Sequence, residues 1–480
     1  VKGNMKSISI LCLGVSLLVV RESMCAPDVT GDRANIGANH VLTGNWATIG
    51  GGNSNTNKTY GSTVGGGVAN MIETNSNDYA TISGGWANVI FGESYYSVIA
   101  GGALNVIGDD AHRSSIGGGD GNAIKHDSYA GWIGGGITNT IEKYSPYSSI
   151  GGGGANWIGT NCAYSTISGG AWHVIASSAG LCTIAGGWVN AISNDSSYST
   201  ISGGRTSLIN TNSDFSTIAG GADNRVGPNS PFATIAGGFS NTNSSEFSTI
   251  GGGDYNSAIS TYTTVSGGHL NKASANAATV GGGAYHVASG EYSTVPGGAN
   301  NTASGSASLA AGFRAKANHD GAFVWGDYSD ADIASTNAHS VTMRSGGGYR
   351  LFSNSGATTG VYLAPSGGSW TSMSDRNAKD NVEPVNARAV LDKVAALPVS
   401  TWNYKSQTNG VRHIGPMAQD FKAAFGVGES DTGITSVDAD GVALAAIKGL
   451  YEMLREKDKQ MQELQRELKE LKAVQEQLRD

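Results

Sequence analysis

Charged residues make up only 14% of this 480-residue chain and hydrophobic ones 39%, against about 25% and 45–50% in ordinary globular domains. A chain this poor in both classes does not build a thick globular core. Proline is scarce too: 9 prolines accompany 72 glycines, and no strict Gly-X-Y triplet runs through them, which excludes collagen. Basic residues are outnumbered, 30 against 38 acidic ones, for a net charge of -8. No basic stripe of the kind that holds nucleic acid is present. The one long apolar run, Ile8 to Val20, is short of the roughly 20 residues of a membrane span. Plain Gly-rich disorder is excluded by what remains, because Ile, Val, Tyr and Trp recur at fixed places and carry apolar area that disordered chains lack.

That recurrence is an internal repeat with the core Ser/Ala-Thr-Ile/Val-x-Gly-Gly, as in Thr81-Ile82-Ser83-Gly84-Gly85 and Thr217-Ile218-Ala219-Gly220-Gly221. Its apolar anchor runs from Ile49 and Val64 through Ile82 to Ile235, then Ile250 to Val295 and Leu309. The step is 15, then 18, then 17 nine times, then 15 four times, then 14. A second short segment follows each Gly-Gly, as in Asn88-Val89-Ile90 and Asn190-Ala191-Ile192. Two short alternating runs separated by turn residues predict two strands per coil. The step is too short for helical repeats or propeller blades, which need about 33 residues or more. A thin parallel β-roll is what remains, with Gly-Gly at a corner that demands positive φ and close backbone approach.

The amino terminus has the pattern of a secretory signal over residues 1–26: Lys6, the apolar run, then small residues near Ala26. Without it, Cys162 and Cys182 remain of four cysteines. They lie about one coil apart, so the spacing leaves open a bridge between neighbouring coils or two separate buried thiols.

The coil motifs, Ser/Thr-x-x-x-Gly and Asn-x-x-x-Gly, resemble the β-roll heads of trimeric autotransporter adhesins over roughly residues 36–319. The resemblance implies a homotrimer. Most coils here are 17 residues long, which puts extra residues in the turn, and that family's membrane-anchor strands do not follow. Residues 320–372 read as a β neck. From Ser374 the composition turns globular, with predicted helices at Ala387–Ala396 and Ala418–Phe425 and a predicted strand at Val399–Tyr404. From Ile447 onward, Leu450, Leu454, Met461, Leu464, Leu468, Leu471 and Leu478 recur at three- and four-residue steps, with Lys457 and Gln475 in two seam positions, predicting a coiled coil over 447–480.

Ser374-Asp375-Arg376-Asn377-Ala378-Lys379, Trp402-Asn403-Tyr404, the stretch His413 to Phe421 and the terminal coiled coil follow one another in the order of the S74 peptidase family, the self-cleaving intramolecular chaperone of phage endosialidases and tail fibres. The resemblance spans about Ser374 to the end, with a chaperone domain over 373–450. It implies a Ser/Lys pair, Ser374 and Lys379, that cuts the Met373-Ser374 bond of its own chain. Asp375 and His413 are possible supporting residues, although His413 reads more readily as a core histidine. Where the family often has arginine two residues before the lysine, this chain has Asn377, with Arg376 one place earlier.

Other signals point to no cofactor or metal. Gly151 to Gly154 lacks the Gly-Lys-Ser/Thr of a phosphate loop, the repeats lack the regular aspartates of calcium-binding rolls, and the histidines show no ligand spacing. His173 and His286 stand where other coils have asparagine and read as turn residues. A glycan-cutting spike needs paired carboxylates, but Glu73, Glu93, Glu142 and Glu246 are scattered and only Asp109-Asp110 are adjacent. Trp86, Trp132, Trp157, Trp172 and Trp188 suit either a sugar platform or an interchain seam. The sequence therefore predicts a mainly β protein: a trimeric parallel β-roll shaft, a β neck and a small α/β chaperone ending in a coiled coil. It would be secreted, at a cell surface or on a virion, with itself and a cell-surface or glycan receptor as partners. The alternatives are a glycan-degrading spike or a permanently uncut fibre.

Overall fold

The computed structural model describes residues 34–73, 79–407 and 410–479; the leader read over 1–26 lies outside them. The chain divides into two units, residues 1–345 and 346–480. The first is a parallel β-solenoid of about 18 turns, which at 4.7–4.9 Å per coil makes this unit roughly 85 Å long.

Most coils contribute two two-residue strands. The anchor strand Thr200–Ile201 pairs in parallel with Thr217–Ile218 of the next coil, and Ala191–Ile192 pairs with Leu208–Ile209. A third strip of single-residue bridges, such as Trp188 with Arg205, follows the Gly-Gly corners. Alternation over two residues sends threonine outward and isoleucine inward, so the interior is two stacks, one of anchors such as Ile82 and Ile99 and one of residues such as Ile90 and Ile107, all fully buried. Burying each such side chain contributes about 1.5–3 kcal/mol. The last anchor is Ala310 and not Leu309, because Leu309 pairs with Thr294 and Ala310 is the fully buried residue beside Val295, which makes this last step 15 as well. In these 15-residue coils the second stack thins to Ala258, Ala273, Ala288 and Ala303. Asn57 and Asn243, each in the second stack of a short coil, are also fully buried. Each donates its amide to a threonine and a serine carbonyl, Thr48 and Ser62 or Thr234 and Ser248, at 3.2 and 2.8 Å.

The corner after the anchor strand is the most demanding part of the coil. The second glycine of each pair has φ near +90°, as at Gly136 (+95°) and Gly221 (+87°), and a Cβ there would collide with the carbonyl of the matching glycine one coil on. An asparagine three residues later spans the same gap. Asn139 Nδ2 donates to Gly135 O at 2.9 Å and to Gly153 O at 3.1 Å, and its Oδ1 accepts from the backbone N–H of Asn156 at 3.1 Å. Repeated from Asn55 to Asn301, this makes a buried amide ladder along the unit. His173 and His286 occupy its rungs and are fully buried, so they belong to the ladder inside the wall. The Nδ1 of each accepts from the next asparagine's N–H, Asn190 at 3.1 Å and Asn301 at 3.2 Å, which fixes a neutral tautomer whose Nε2 is buried without a hydrogen bond of good geometry.

Parallel pairing does not stop where the Gly-Gly motif stops at His319. Leu309–Phe313 pairs with Phe323–Gly326, which pairs with Val341–Arg344. Ladder pairing is a backbone property and outlasts the side-chain motif. In these last coils Arg314 binds Asp330 and Asp332 at 2.7 and 2.8 Å, and Arg344 binds Asp327 at 2.8 Å.

The second unit holds a three-stranded antiparallel sheet, Tyr349–Phe352, Gly360–Leu363 and Trp370–Ser372, and a hairpin, Ser400–Trp402 with His413–Gly415. Its helices are α1 (Ala387–Ala396), α2 (Ala418–Phe425) and α3 (Ser436–Gln477). α1 starts at Asn386, whose side chain accepts from Ala389 N–H at 3.0 Å; α2 stops at Gly426 in the left-handed region. α3 begins eleven residues before the leucine repeat, because Thr435 caps it by accepting from Asp438 N–H at 3.0 Å. Buried Ala387, Ala446 and Gly449 let α1 and α3 approach closely: a Cβ on Gly449 would collide with Ala387 O.

The corner geometry separates two neighbouring glycines. Gly221→Ala is expected to destabilise the shaft by about 2 kcal/mol or more, whereas Gly220, with open space around its Cα, accepts alanine within about 0.5 kcal/mol; thermal unfolding of the two variants checks this. Burial lowers the His173 and His286 pKa below the usual 6.5. A depressed folded value means that stability is full above pH 6.5 and is lost as pH falls below it. The unfolding temperature should therefore drop on acidification from pH 7.5 towards 5, and the double variant His173→Asn/His286→Asn should flatten that part of the profile while raising stability at pH 7.5.

Candidate functional site

The start of the globular region is organised around Ser374. The strand Trp370–Ser372 leads into it, and Met373 is held by its N–H to Gly360 O at 3.0 Å, its side chain closing a 310 Å³ groove with Arg350, Phe352, Ala357 and Tyr362. Asp375 then caps a single 3₁₀ turn, Arg376–Ala378, its Oδ1 accepting from Asn377 N–H at 2.9 Å and Asn377 Nδ2 at 3.2 Å. The turn ends with Lys379 N–H on Arg376 O at 3.2 Å and carries the lysine back over the serine. Lys379 Nζ donates to Ser374 Oγ at 2.6 Å. The five-residue spacing thus becomes direct contact through one turn, and Asn377, two residues before the lysine, braces that turn from within. Both Ser374 and Lys379 are exposed in the single chain. An amine against a hydroxyl is the pairing of serine acyl chemistry, in which the lysine acts as base once a dry environment favours its neutral form.

His413 finds its partners elsewhere in the unit. Its Nε2 meets Gln407 Oε1 at 3.0 Å, and its ring lies 4.7 Å from Trp402 and 5.7 Å from Tyr404. The half-buried imidazole thus belongs to the aromatic cluster of the hairpin.

The family model described as Chaperone of endosialidase, Peptidase_S74, matches residues 374–427, beginning at Ser374. No curated protein matches the chain. A region similar to the chaperone of endosialidase thus follows a parallel β-solenoid along the chain, an arrangement consistent with a tail-fibre-like structural protein.

In the solenoid the tryptophans do not share one face. Trp86 and Trp188 lie on the bridge strip, Trp132 points outward from the anchor ladder and Trp157 from the second ladder. Of the scattered carboxylates, Glu73 pairs with Lys58 at 2.6 Å and Glu142 accepts from Trp157 Nε1 at 3.3 Å. Among the described residues no group of three or more His, Cys, Asp or Glu is placed to hold a metal ion, and no helix is long and apolar enough to cross a membrane. The feature sequence reasoning missed is an exposed column of stacked rings, Tyr198, Phe215, Phe232, Phe247 and Tyr262, with centroids 4.6 to 5.3 Å apart. Its signal was present: each ring stands three residues before an anchor isoleucine or valine.

Cys162 and Cys182 are both free and fully buried. Each replaces serine in a different column of the long turn, its Sγ donating to a carbonyl of the next coil, Ala176 at 2.9 Å and Ser196 at 3.2 Å. This leaves the bridge between coils unformed, since each sulfur is turned to its own acceptor. Burial pushes the thiols up to about 11 and about 12, far from the thiolate that reacts. Neither should react with a disulfide reagent at pH 8 in the folded protein, and both should react on unfolding in guanidinium; fast labelling of the native protein would contradict this burial.

Proposed function

We propose that the chain is one third of a homotrimeric fibre, at a virion or cell surface, whose carboxy-terminal region promotes trimer assembly and then severs the Met373-Ser374 bond. The observation that carries the reading is the contact of Lys379 Nζ with Ser374 Oγ at the first residues of the matched region. Trimerisation draws support from α3: beyond its contact with α1 it presents Leu454, Met461, Leu464, Leu468 and Leu471 to solvent, each more than half exposed. An apolar seam of this length in water calls for partner helices. With Lys457 and Gln475 in it, the seam carries polar positions of the kind that set register and strand number.

In the cut, Lys379 as neutral amine takes the Ser374 Oγ proton while Oγ attacks the Met373 carbonyl carbon. The Ser374 nitrogen leaves with a proton, forming an ester, and water hydrolyses that ester to a Met373 carboxylate and a free Ser374 hydroxyl. The base is competent only when dry, and partner subunits packing over this open turn supply that condition, so cutting reports assembly. Met373 anchored in its groove holds the acyl side while this happens.

Expression of residues 26–480 should yield two pieces, the second starting at Ser374, with the shaft at three times its single-chain mass by light scattering. Ser374→Ala and Lys379→Met should each slow cutting by about a thousandfold and leave the trimer intact. Intact trimer in the parent as well would mean a permanent fibre; a monomer would end the trimeric reading.

A further inference from the structure

The long turn of the 17-residue coils carries two left-handed positions. At the second of these the ring column is interrupted: Tyr96 is followed by Arg113 and Ala130 before rings resume at Tyr147 and Tyr164. Beside the interruption lies a groove of 680 Å³. One wall is the first left-handed column over four successive coils, Asp110, Asp127, Tyr144 and Asn161. The floor is the residue two places on in each coil, His112, Tyr129, Pro146 and Ala163. Four coils give it a length of roughly 14 Å. The same two columns further along carry residues such as Ser178, Gly180, Asp195 and Ser197, so the combination of rings and carboxylates belongs to this stretch.

We infer that this groove binds an oligosaccharide, uncharged or amino-bearing, and is the receptor site of the fibre; this rests on the reading of the protein as a surface-attachment fibre. Sugars offer hydroxyl donors and acceptors on an apolar ring face, and the lining matches both. Asp110 accepts hydroxyl hydrogen bonds, as does Asp127 with the oxygen left free by the 2.7 Å contact of its Oδ2 with His126 Nδ1. Asn161 both donates and accepts, and Tyr129 and Tyr144, which line the groove, are 43% and 49% exposed overall. His112 is stacked on Tyr95 at 3.8 Å, which orients its ring; its Nδ1 is buried with no partner, while its Nε2 lies 4.0 Å from Asp110. Two carboxylates in one wall disfavour a sialylated or otherwise anionic chain by repulsion. A metal ion is not the occupant, since no three potential ligands converge among the described residues. The stacked column from Tyr198 to Tyr262 is a poorer sugar platform, because each inner ring's faces are covered by its neighbours.

The repeat itself supplies variants that keep the fold. Asn161 shows that asparagine is accepted at the Asp110 and Asp127 position, and Ser197 that serine is accepted at the Tyr129 position. The test is binding of the full chain to an array of neutral, amino-bearing and sialylated oligosaccharides, with affinities by calorimetry. The expected result is binding of neutral or amino-bearing glycans. The triple variant Asp110→Asn/Asp127→Asn/Tyr129→Ser should weaken it at least tenfold, and Asp195→Asn, in the same column outside the groove, should leave it unchanged. Binding to none, binding of sialylated chains alone, or equal binding by the triple variant would overturn the proposal. Light scattering on the same samples reports the trimer separately, so failure of the groove and failure of the fibre are told apart.

Discussion

The gap between successive coils at the Gly-Gly corner is the constraint on which the solenoid depends. Two strands of two residues each cannot hold a coil in register by themselves, since every coil adds only a few ladder bonds. The asparagine amide closes the deficit by binding a glycine carbonyl on its own coil and one on the next, while its oxygen receives the following asparagine's N–H. This works only if the two backbones come close enough to exclude a Cβ, which is why the second glycine of a pair such as Gly220-Gly221 takes no side chain without a collision, while Gly220 has open space around it. A buried polar ladder satisfied at nearly every rung is worth more than its separate bonds, and it permits left-handed backbone at residues such as Val189 and Thr206 that would otherwise resist it.

Serine columns in the long turn use the same logic with a hydroxyl. Ser114 Oγ donates to Ser128 O and accepts from Gly131 N–H, both at 3.1 Å. Cysteine enters the serine columns and histidine the asparagine ladder as imperfect substitutes, Cys162 and Cys182 keeping the donor and His173 and His286 the acceptor. Their chemistry is thereby turned inward and spent on the wall. What faces water is decided by the turn residues, which are free to vary because the ladder does not need them, and the aromatic column and the acidic groove both arise there.

In the second unit a different economy holds. One short turn capped by Asp375 brings a serine and a lysine together, and a 42-residue helix keeps only its first turns against α1. Both features are open to water in the single chain: Ser374 and Lys379 are exposed, and the leucines of α3 beyond α1 are more than half exposed. In the proposed trimer one event, association of chains, would cover both.

Much of this was legible in the residues. The anchor spacing and the Asn-x-Ile segments state where the strands fall, and the observed pairs Thr217–Ile218 and Ala191–Ile192 lie where the motif places them. The spans of α1 and α2 follow from amphipathic spacing with a cap or stop residue at one end, and Ser374 with Lys379 is visible through the family motif. Local patterns of this kind are set by side-chain periodicity and backbone preference, which a sequence carries explicitly. What the sequence left open is whatever depends on residues a coil apart. The fate of the two thiols was settled by their falling in different serine columns, and the role of His173 by the neighbouring rungs. The early start of α3 was settled by the cap at Thr435, and the persistence of pairing beyond His319 by backbone ladders that need no Gly-Gly. The groove at Asp110 likewise exists only because stacking puts residues 17 apart side by side, a distance along the chain that becomes one strand spacing in space.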